Sequence, residues 1–324
     1  MIFLKKRLKS YRILASKLIS NSNLKSTQHD KVKLFLVKNP QINPYKFSFG
    51  NLYRQVTSKF RVLPNFIIIG AGRAGTTSLY SYLIQHPDIF PAYTEKNDPV
   101  GDLHFFEYMI SNKVDWYKSH FPTQFTRSYH ERKNSFITGE FTSTYMYHPD
   151  VPKRIFNLLP KIKLIVILRN PIDKAYSTYQ QLFQFELYTT SFEDTIDAEF
   201  RRMKLNKVVP SLNSDNPDFE NSVAHNIIRH GIYADYLEPW LEIFSKKQIL
   251  ILNSDDLKKS TKETLHQVFN FLNIPNYDET DISRVNVGKY PPIDKSTRKR
   301  LIEFYKPHNQ KLNKLLGTNF DWDN

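Results

Sequence analysis

The chain contains no cysteine in 324 residues. Disulfides and thiolate metal sites are therefore excluded, and a reducing, cytoplasmic compartment is the expectation. No apolar run approaches the roughly 20 residues that a membrane-spanning helix needs, so no transmembrane segment is expected. There is no Asn-x-Ser/Thr acceptor with a permitted middle residue, which weighs against a secretory route. Glycine is sparse, nine in all, and three of the nine fall between positions 70 and 75. Acids are nearly missing from the first 40 positions. Ten Lys/Arg stand there against Asp30 alone, a net +9 out of the +14 of the whole chain.

That basic segment has a pattern. Leu4, Leu8, Tyr11, Ala15 and Leu18 share one helical face, while Lys5, Lys9 and Arg12 lie largely off it. A basic amphipathic helix suits an anionic membrane surface, which predicts a peripheral contact through residues 1–20. A solvated tail and an organellar transit peptide fit the same composition. Nucleic acid is not an expected partner, because no binding motif accompanies the charge. Residues 21–60 are mixed and polar, with Pro40 and Pro44, and read as a linker. The sequence thus divides into a basic extension over 1–60 and one main domain over 61–324.

Hydrophobic residues make up 40% of the chain and aromatics 14%, enough for a sizeable core. Short apolar strands are expected at Phe66–Ile69, Phe136–Gly139, Leu164–Leu168 and Ile249–Leu252. Helices are expected between them at Thr77–Gln85, Val151–Leu159, Ile172–Leu187, Ile232–Phe244 and Thr264–Leu272. A last helix is expected over Lys295–Leu316, kinked or split at Pro307. Residues 204–221, rich in Asn, Asp, Pro and Ser, read as a surface loop or lid. Strands alternating with helices predict an α/β fold, a doubly wound parallel sheet flanked by helices on both faces. Ligands of such sheets sit at the carboxyl ends of the strands.

Two motifs fall at such ends. The first runs Phe66-Ile67-Ile68-Ile69-Gly70-Ala71-Gly72-Arg73-Ala74-Gly75-Thr76-Thr77-Ser78-Leu79-Tyr80. A β-branched strand breaks into a glycine-rich turn and then opens a helix through Leu79, Leu83 and Ile84. That order aims backbone N–H groups and a helix N-terminus at one point, which makes a phosphate cradle. Gly70 and Gly75 keep the spacing of the nucleotide-binding P-loop. Thr76 occupies the position of its lysine, however, and Arg73 is the loop's one cation. A tight turn with no ligand is the alternative, but it would not require three glycines, an arginine and three successive hydroxyls.

The second motif ends the strand Leu164–Leu168 with Arg169-Asn170-Pro171-Ile172-Asp173-Lys174-Ala175-Tyr176-Ser177. Asn170 is a good N-cap and Pro171 a good first helical residue, so a helix starts where the strand stops. Arg169 then stands at the sheet edge with Ser177 two turns into the helix. An arginine fork and a hydroxyl there suit a second phosphate. An arginine paired with a carboxylate is the alternative.

Together the loop and the strand-RxPxxxxxS-helix motif, about 95 residues apart, closely resemble the sulfotransferases that use 3′-phosphoadenosine 5′-phosphosulfate (PAPS). Further matches are His86-Pro87-Asp88, His104-Phe105-Phe106, Trp116-Tyr117, Gly139-Glu140, Arg229-His230-Gly231-Ile232-Tyr233 and Gly317–Trp322, so the resemblance covers roughly 62–324. It is closest to the heparan-sulfate-type and related microbial branch. It implies that Arg73, Ala74, Gly75, Thr76, Thr77 and Ser78 hold the 5′-phosphosulfate, with Arg73 stabilising the leaving group. Arg169 and Ser177 then take the 3′-phosphate, and no metal is needed. Gly288, Lys289 and Tyr290 resemble the family's basic loop over that phosphate. Tyr233 is assigned to the cofactor as well, with core packing as its alternative.

The family's catalytic base is less plainly placed. The resemblance implies a carboxylate just before the His-Phe-Phe segment. Counting back from His104 puts Asp102 there, and counting forward from Pro91 puts Glu95 there. His104 itself is the third candidate. Phe141 stands where 3-O-sulfotransferases of glycosaminoglycans carry a lysine, which weakens heparan sulfate as the acceptor. The expected activity is transfer of a sulfuryl group from PAPS to a hydroxyl or amino group of a carbohydrate, on a glycan or glycolipid. The rivals are a P-loop kinase or NTPase, disfavoured because Arg169 stands where an acidic Mg²⁺ ligand would be, and a non-catalytic nucleotide-binding protein of membrane surfaces.

Overall fold

A computed structural model describes residues 49–93, 102–107, 113–132, 134–185, 189–204, 226–282 and 290–322. The basic helix expected in residues 1–20 and the 204–221 loop, save Lys204, lie outside them.

The chain enters through α1 (Phe49–Val56), inside the stretch read as linker, and a short 3-10 turn, Ser58–Phe60. The first half of the domain then comprises β1 (Phe66–Gly70), α2 (Thr76–Leu83), β2 (Ile89–Pro91), α3 (Val114–Lys118), α4 (Gln124–Glu131) and β3 (Ile137–Phe141). Next come α5 (Val151–Leu158), β4 (Lys163–Leu168), α6 (Pro171–Gln184), α7 (Phe192–Lys204) and α8 (Tyr233–Ile243). The last elements are β5 (Ile249–Asn253), α9 (Ser254–Lys259), α10 (Thr261–Leu272) and α11 (Lys295–Leu316).

All strand pairs are parallel, in the order β2-β3-β1-β4-β5. Every residue of β1 is buried, as are Leu164–Leu168 of β4. Helices cover the sheet, which explains the unbroken apolar runs of the central strands. From the central β1 the chain fills one side with β2 and β3, then crosses to the other for β4 and β5. The order reverses at β1, so the crevice expected of a doubly wound sheet opens at its carboxyl end.

Three differences from the sequence expectations have local causes. β2 is only three residues long and ends in Pro91 at the sheet edge, too brief for a periodic signal. β3 runs through Phe141 instead of stopping at Gly139, because hydrogen bonds from Tyr117 and Thr142 make a buried glutamate, Glu140, acceptable in a strand. α11 is neither ended nor split by Pro307. Buried Leu301 and Tyr305 on one side and Asn309 and Leu312 on the other hold both halves against the domain. Pro307 and Glu303 are exposed, so the carbonyl that loses its partner faces water.

One glycine is dictated by packing. Gly139 sits opposite Phe66 across the β1–β3 pair, and a Cβ there would lie 2.5 Å from the Phe66 ring. Behind β4, α6, α7 and α11 enclose a second apolar cluster around Ile172, Ile196, Leu301 and Tyr305. That cluster seats the start of α6, where the second motif lies.

Candidate active site

The loop from Gly70 to Gly75 is fixed by short-range bonds. Ala71 N–H donates to the Ile167 carbonyl of β4 at 2.9 Å, and Ala74 N–H to Ala71 at 3.1 Å. The Ala74 amide is thus bonded inside the loop. Gly75, at φ 108°, is the N-cap of α2. That left-handed backbone favours glycine, and no side chain caps the helix. Its first amides at Thr76 and Thr77 therefore face the same point as the loop.

The two motifs meet here. Arg73 Nε donates to Ser177 Oγ at 3.1 Å, and Arg169 Nη1 donates to the Arg73 carbonyl at 3.1 Å. Two arginines separated by 96 residues stand together because β1 and β4 are neighbours. Burial lowers the Arg73 pKa, with Tyr290 raising it and Arg169 lowering it further. Tyr290 is thereby part of the same site, edge-on to Tyr176 of α6 at 5.5 Å. Among the described residues no carboxylate pairs with either arginine, and the buried Nε of Arg169 has no partner. The carboxylate alternative for Arg169 is not observed. Two unneutralised guanidinium groups and an orphaned donor suit a polyanion.

The second motif is braced from below. Asn170 caps α6 by accepting from Ile172 N–H at 2.9 Å, and its amide donates to the Trp322 carbonyl at 3.4 Å. Tyr233 is 1% exposed and donates its hydroxyl to the Arg169 carbonyl at 2.8 Å. It holds Arg169 in place from the core, which is where its alternative reading placed it. Trp322 stacks on Phe320 at 4.4 Å and packs against Tyr233 at 5.9 Å.

Across the crevice, residues 102–107 lie against the end of β3. Asp102 N–H donates to the Phe141 carbonyl, and Asp102 Oδ1 accepts from Ser143 N–H at 3.2 Å. A Cβ on Gly72 would lie 3.7 Å from Ser143 Oγ, so Asp102 stands at the rim of the glycine loop. Its surface is open to solvent. Its carboxyl is nevertheless surrounded by enough protein to raise its pKa, a rise that the His104 charge and the Ser143 hydrogen bond reduce and Glu107 reinforces. Both Asp102 (φ 61°) and His104 (φ 52°) have left-handed backbone, a conformation that costs about 1 kcal/mol or more for such residues.

Beneath Asp102 lies a carboxylate network that the motifs did not single out. His104 Nδ1 and the fully buried Glu107 Oε2 are 2.8 Å apart, and Thr144 Oγ1 donates to the same oxygen at 3.0 Å. Glu140 accepts from Tyr117 at 2.8 Å and from Thr142 Oγ1 at 2.7 Å. Burial pushes the Glu140 pKa up to about 7 against those two hydrogen bonds. Burial pulls His104 down, but the Glu107 hydrogen bond and the charges of Glu107, Asp102 and Glu140 outweigh it and push the pKa up to about 9. His104 is therefore a cation at neutral pH. Glu140 was visible in sequence only as part of the Gly139-Glu140 match, and Glu107, three residues after His104, was not singled out. Glu95, Gly288 and Lys289 lie outside the described residues.

These features can be set beside known proteins. A family model described as a sulfotransferase domain matches residues 63–288. The chain belongs to the sulfotransferase domain family. It is 29% identical over 282 residues to "Bifunctional heparan sulfate N-deacetylase/N-sulfotransferase 4" of Mus musculus, covering 78% of this chain and 30% of that protein. It is 26% identical to "Membrane-associated sulfotransferase kil1" of Dictyostelium discoideum, covering 83% of this chain and 68% of that protein. Relative to the heparan sulfate proteins that it matches, the chain spans about a third of their length. A sulfotransferase from Alicyclobacillus acidocaldarius has the same fold, with a TM-score of 0.60 at 22% identity over 81% of this chain and all of that one. The expected sulfotransferase fold is thus the one found. Among the described residues no helix is long and apolar enough to cross a membrane.

Proposed function

We propose that this sulfotransferase transfers a sulfuryl group from PAPS to a hydroxyl or amino group of a carbohydrate acceptor, on a glycan or glycolipid. The reading is carried by one observation: Arg73, Arg169 and Ser177, from two strand tips, are joined by direct hydrogen bonds. The orphaned Nε of Arg169 and the lack, among the described residues, of a carboxylate paired with it suit a ligand with two anionic ends. Bound PAPS would supply an activated sulfuryl group on its 5′-phosphate.

The chain's own residues then have separable tasks. The N-terminal amides of α2, with the hydroxyls of Thr76, Thr77 and Ser78, bind anionic oxygens, while Arg73 stabilises charge that develops on the leaving phosphate. Arg169 and Ser177 bind the 3′-phosphate, with Gly288, Lys289 and Tyr290 as its further proposed contacts. Asp102 takes the acceptor proton at Oδ2, since Oδ1 is held by Ser143. Its raised pKa makes it a better proton acceptor than an ordinary aspartate. Cationic His104 serves as fixed positive charge beside it, and Glu95 is the rival base. Positioning and charge carry the reaction, as in phosphoryl transfer.

Residues 1–20 are proposed to touch an anionic membrane surface, and a cytoplasmic location goes with this. The direct test is incubation with labelled PAPS and a panel of glycans, glycolipids and phenols. Label in a sugar supports the proposal. Magnesium-dependent ATP turnover without label transfer overturns it in favour of an NTPase.

A further inference from the structure

Away from the crevice, six of the exposed large apolar side chains among the described residues lie where the chain enters the described structure. α1 exposes Leu52, Tyr53 and Val56, the last at 73%. Their spacing of three and four residues puts them on one helical face. Phe60, ending the 3-10 turn, is 70% exposed. α4 exposes Phe125 at 81% and Tyr129, again four residues apart.

These elements form a single rigid corner. Arg61 and Thr123 make an antiparallel bridge, Val62 N–H donates to the Pro122 carbonyl at 3.0 Å, and the Arg61 guanidinium lies 5.4 Å over the Tyr53 ring. Lys118 Nζ reaches across to the Lys59 carbonyl at 3.0 Å. Single exposed apolar side chains are ordinary, but six on three hydrogen-bonded elements mark a contact surface.

We propose that this corner inserts into the interfacial layer of an anionic lipid bilayer. Its charge fits that partner. No acid occurs from Phe49 to Leu63, where Lys59 is exposed and Arg54 and Arg61 are buried, and the exposed Arg127 and Arg132 on and beside α4 stand against one acid, Glu131. The first 40 residues, net +9, precede α1 in the chain and add basic charge to the same end of the sequence. Aromatic rings flanked by lysine and arginine match an interface with apolar chains below and phosphate groups above. This extends the contact of residues 1–20 to a second, folded surface made of different residues, and it does not depend on the sulfuryl-transfer reading.

The test is co-sedimentation of the full chain with phosphatidylcholine–phosphatidylserine vesicles at low and high salt. Phe60→Ser/Phe125→Ser lowers vesicle partitioning about tenfold or more at both salts, because the lost contribution is apolar. Lys5→Gln/Lys9→Gln/Arg12→Gln lowers it at low salt only, which checks the N-terminal contact separately. Circular dichroism and label transfer stay at parent values in the double variant. Partitioning equal to the parent's overturns the corner and leaves the N-terminal contact standing. A lipid-free dimer by light scattering that the double variant converts to monomer also overturns it, assigning the face to a second copy of the chain.

Discussion

The side chain of Arg73 donates a hydrogen bond to Ser177, 3.1 Å away and 104 positions later in the chain. One residue belongs to the turn after β1 and the other to the helix after β4, so the bond locks the two halves of the candidate nucleotide site together. The functional proposals can be tested from that point.

Arg73→Ala is expected to lower turnover by about 10²–10³-fold or more, as loss of a preorganised charge-stabilising donor does. The fold should survive, because the side chain is only part-buried. Steady-state rates alongside thermal melts check both parts, and near-normal turnover refutes the role.

Asp102→Asn is expected to cost more turnover than Glu95→Gln, by about 10²-fold or more if a general base is lost. The acid limb of the rate profile should follow the raised Asp102 pKa, with activity falling as pH falls through it. The opposite ranking moves the base to Glu95.

Glu140 and His104 should each contribute a loss of stability as pH rises, over about 4.5–7 and about 6.5–9. Glu140, near 4.5 when unfolded and about 7 when folded, keeps its proton in the native state, so folding is progressively penalised across that interval. His104, about 9 when folded, favours the native state below its unfolded value near 6.5 and loses that advantage as pH rises through 9. Denaturant midpoints across pH show this by difference: the parent-minus-variant stability should fall over the lower interval for Glu140→Gln and over the upper one for His104→Asn. A difference that is constant with pH contradicts the corresponding assignment.

Gly139→Ala is expected to destabilise the domain by about 1–3 kcal/mol, because its methyl group would enter the Phe66 ring. Combining it with Phe66→Leu should recover part of the loss. Urea midpoints of the three variants decide it, and additive losses would show that the clash is not the cause.

Both phosphate motifs were readable because each is local: an apolar run, a turn of small residues and a helix start follow one another within fifteen positions. The parallel α/β architecture followed from the same alternation. What escaped was long-range or brief. Glu140 and Glu107 are buried acids whose acceptability depends on Tyr117, Thr142, Thr144 and His104, brought close only by packing. β2 is three residues long, and its place beside β3 is a tertiary fact. Pro307 misled because local chemistry argues for a break while anchored residues on both sides keep α11 continuous.

Asp102 is tethered to Ser143 and Phe141, and so to the sheet. With Asp102 as the proposed base, proton removal and acceptor choice would be separable. Exchanges upstream of Gly101 would re-tailor the acceptor while the carboxylate kept its aim. A lineage could thus change clientele without rebuilding its chemistry.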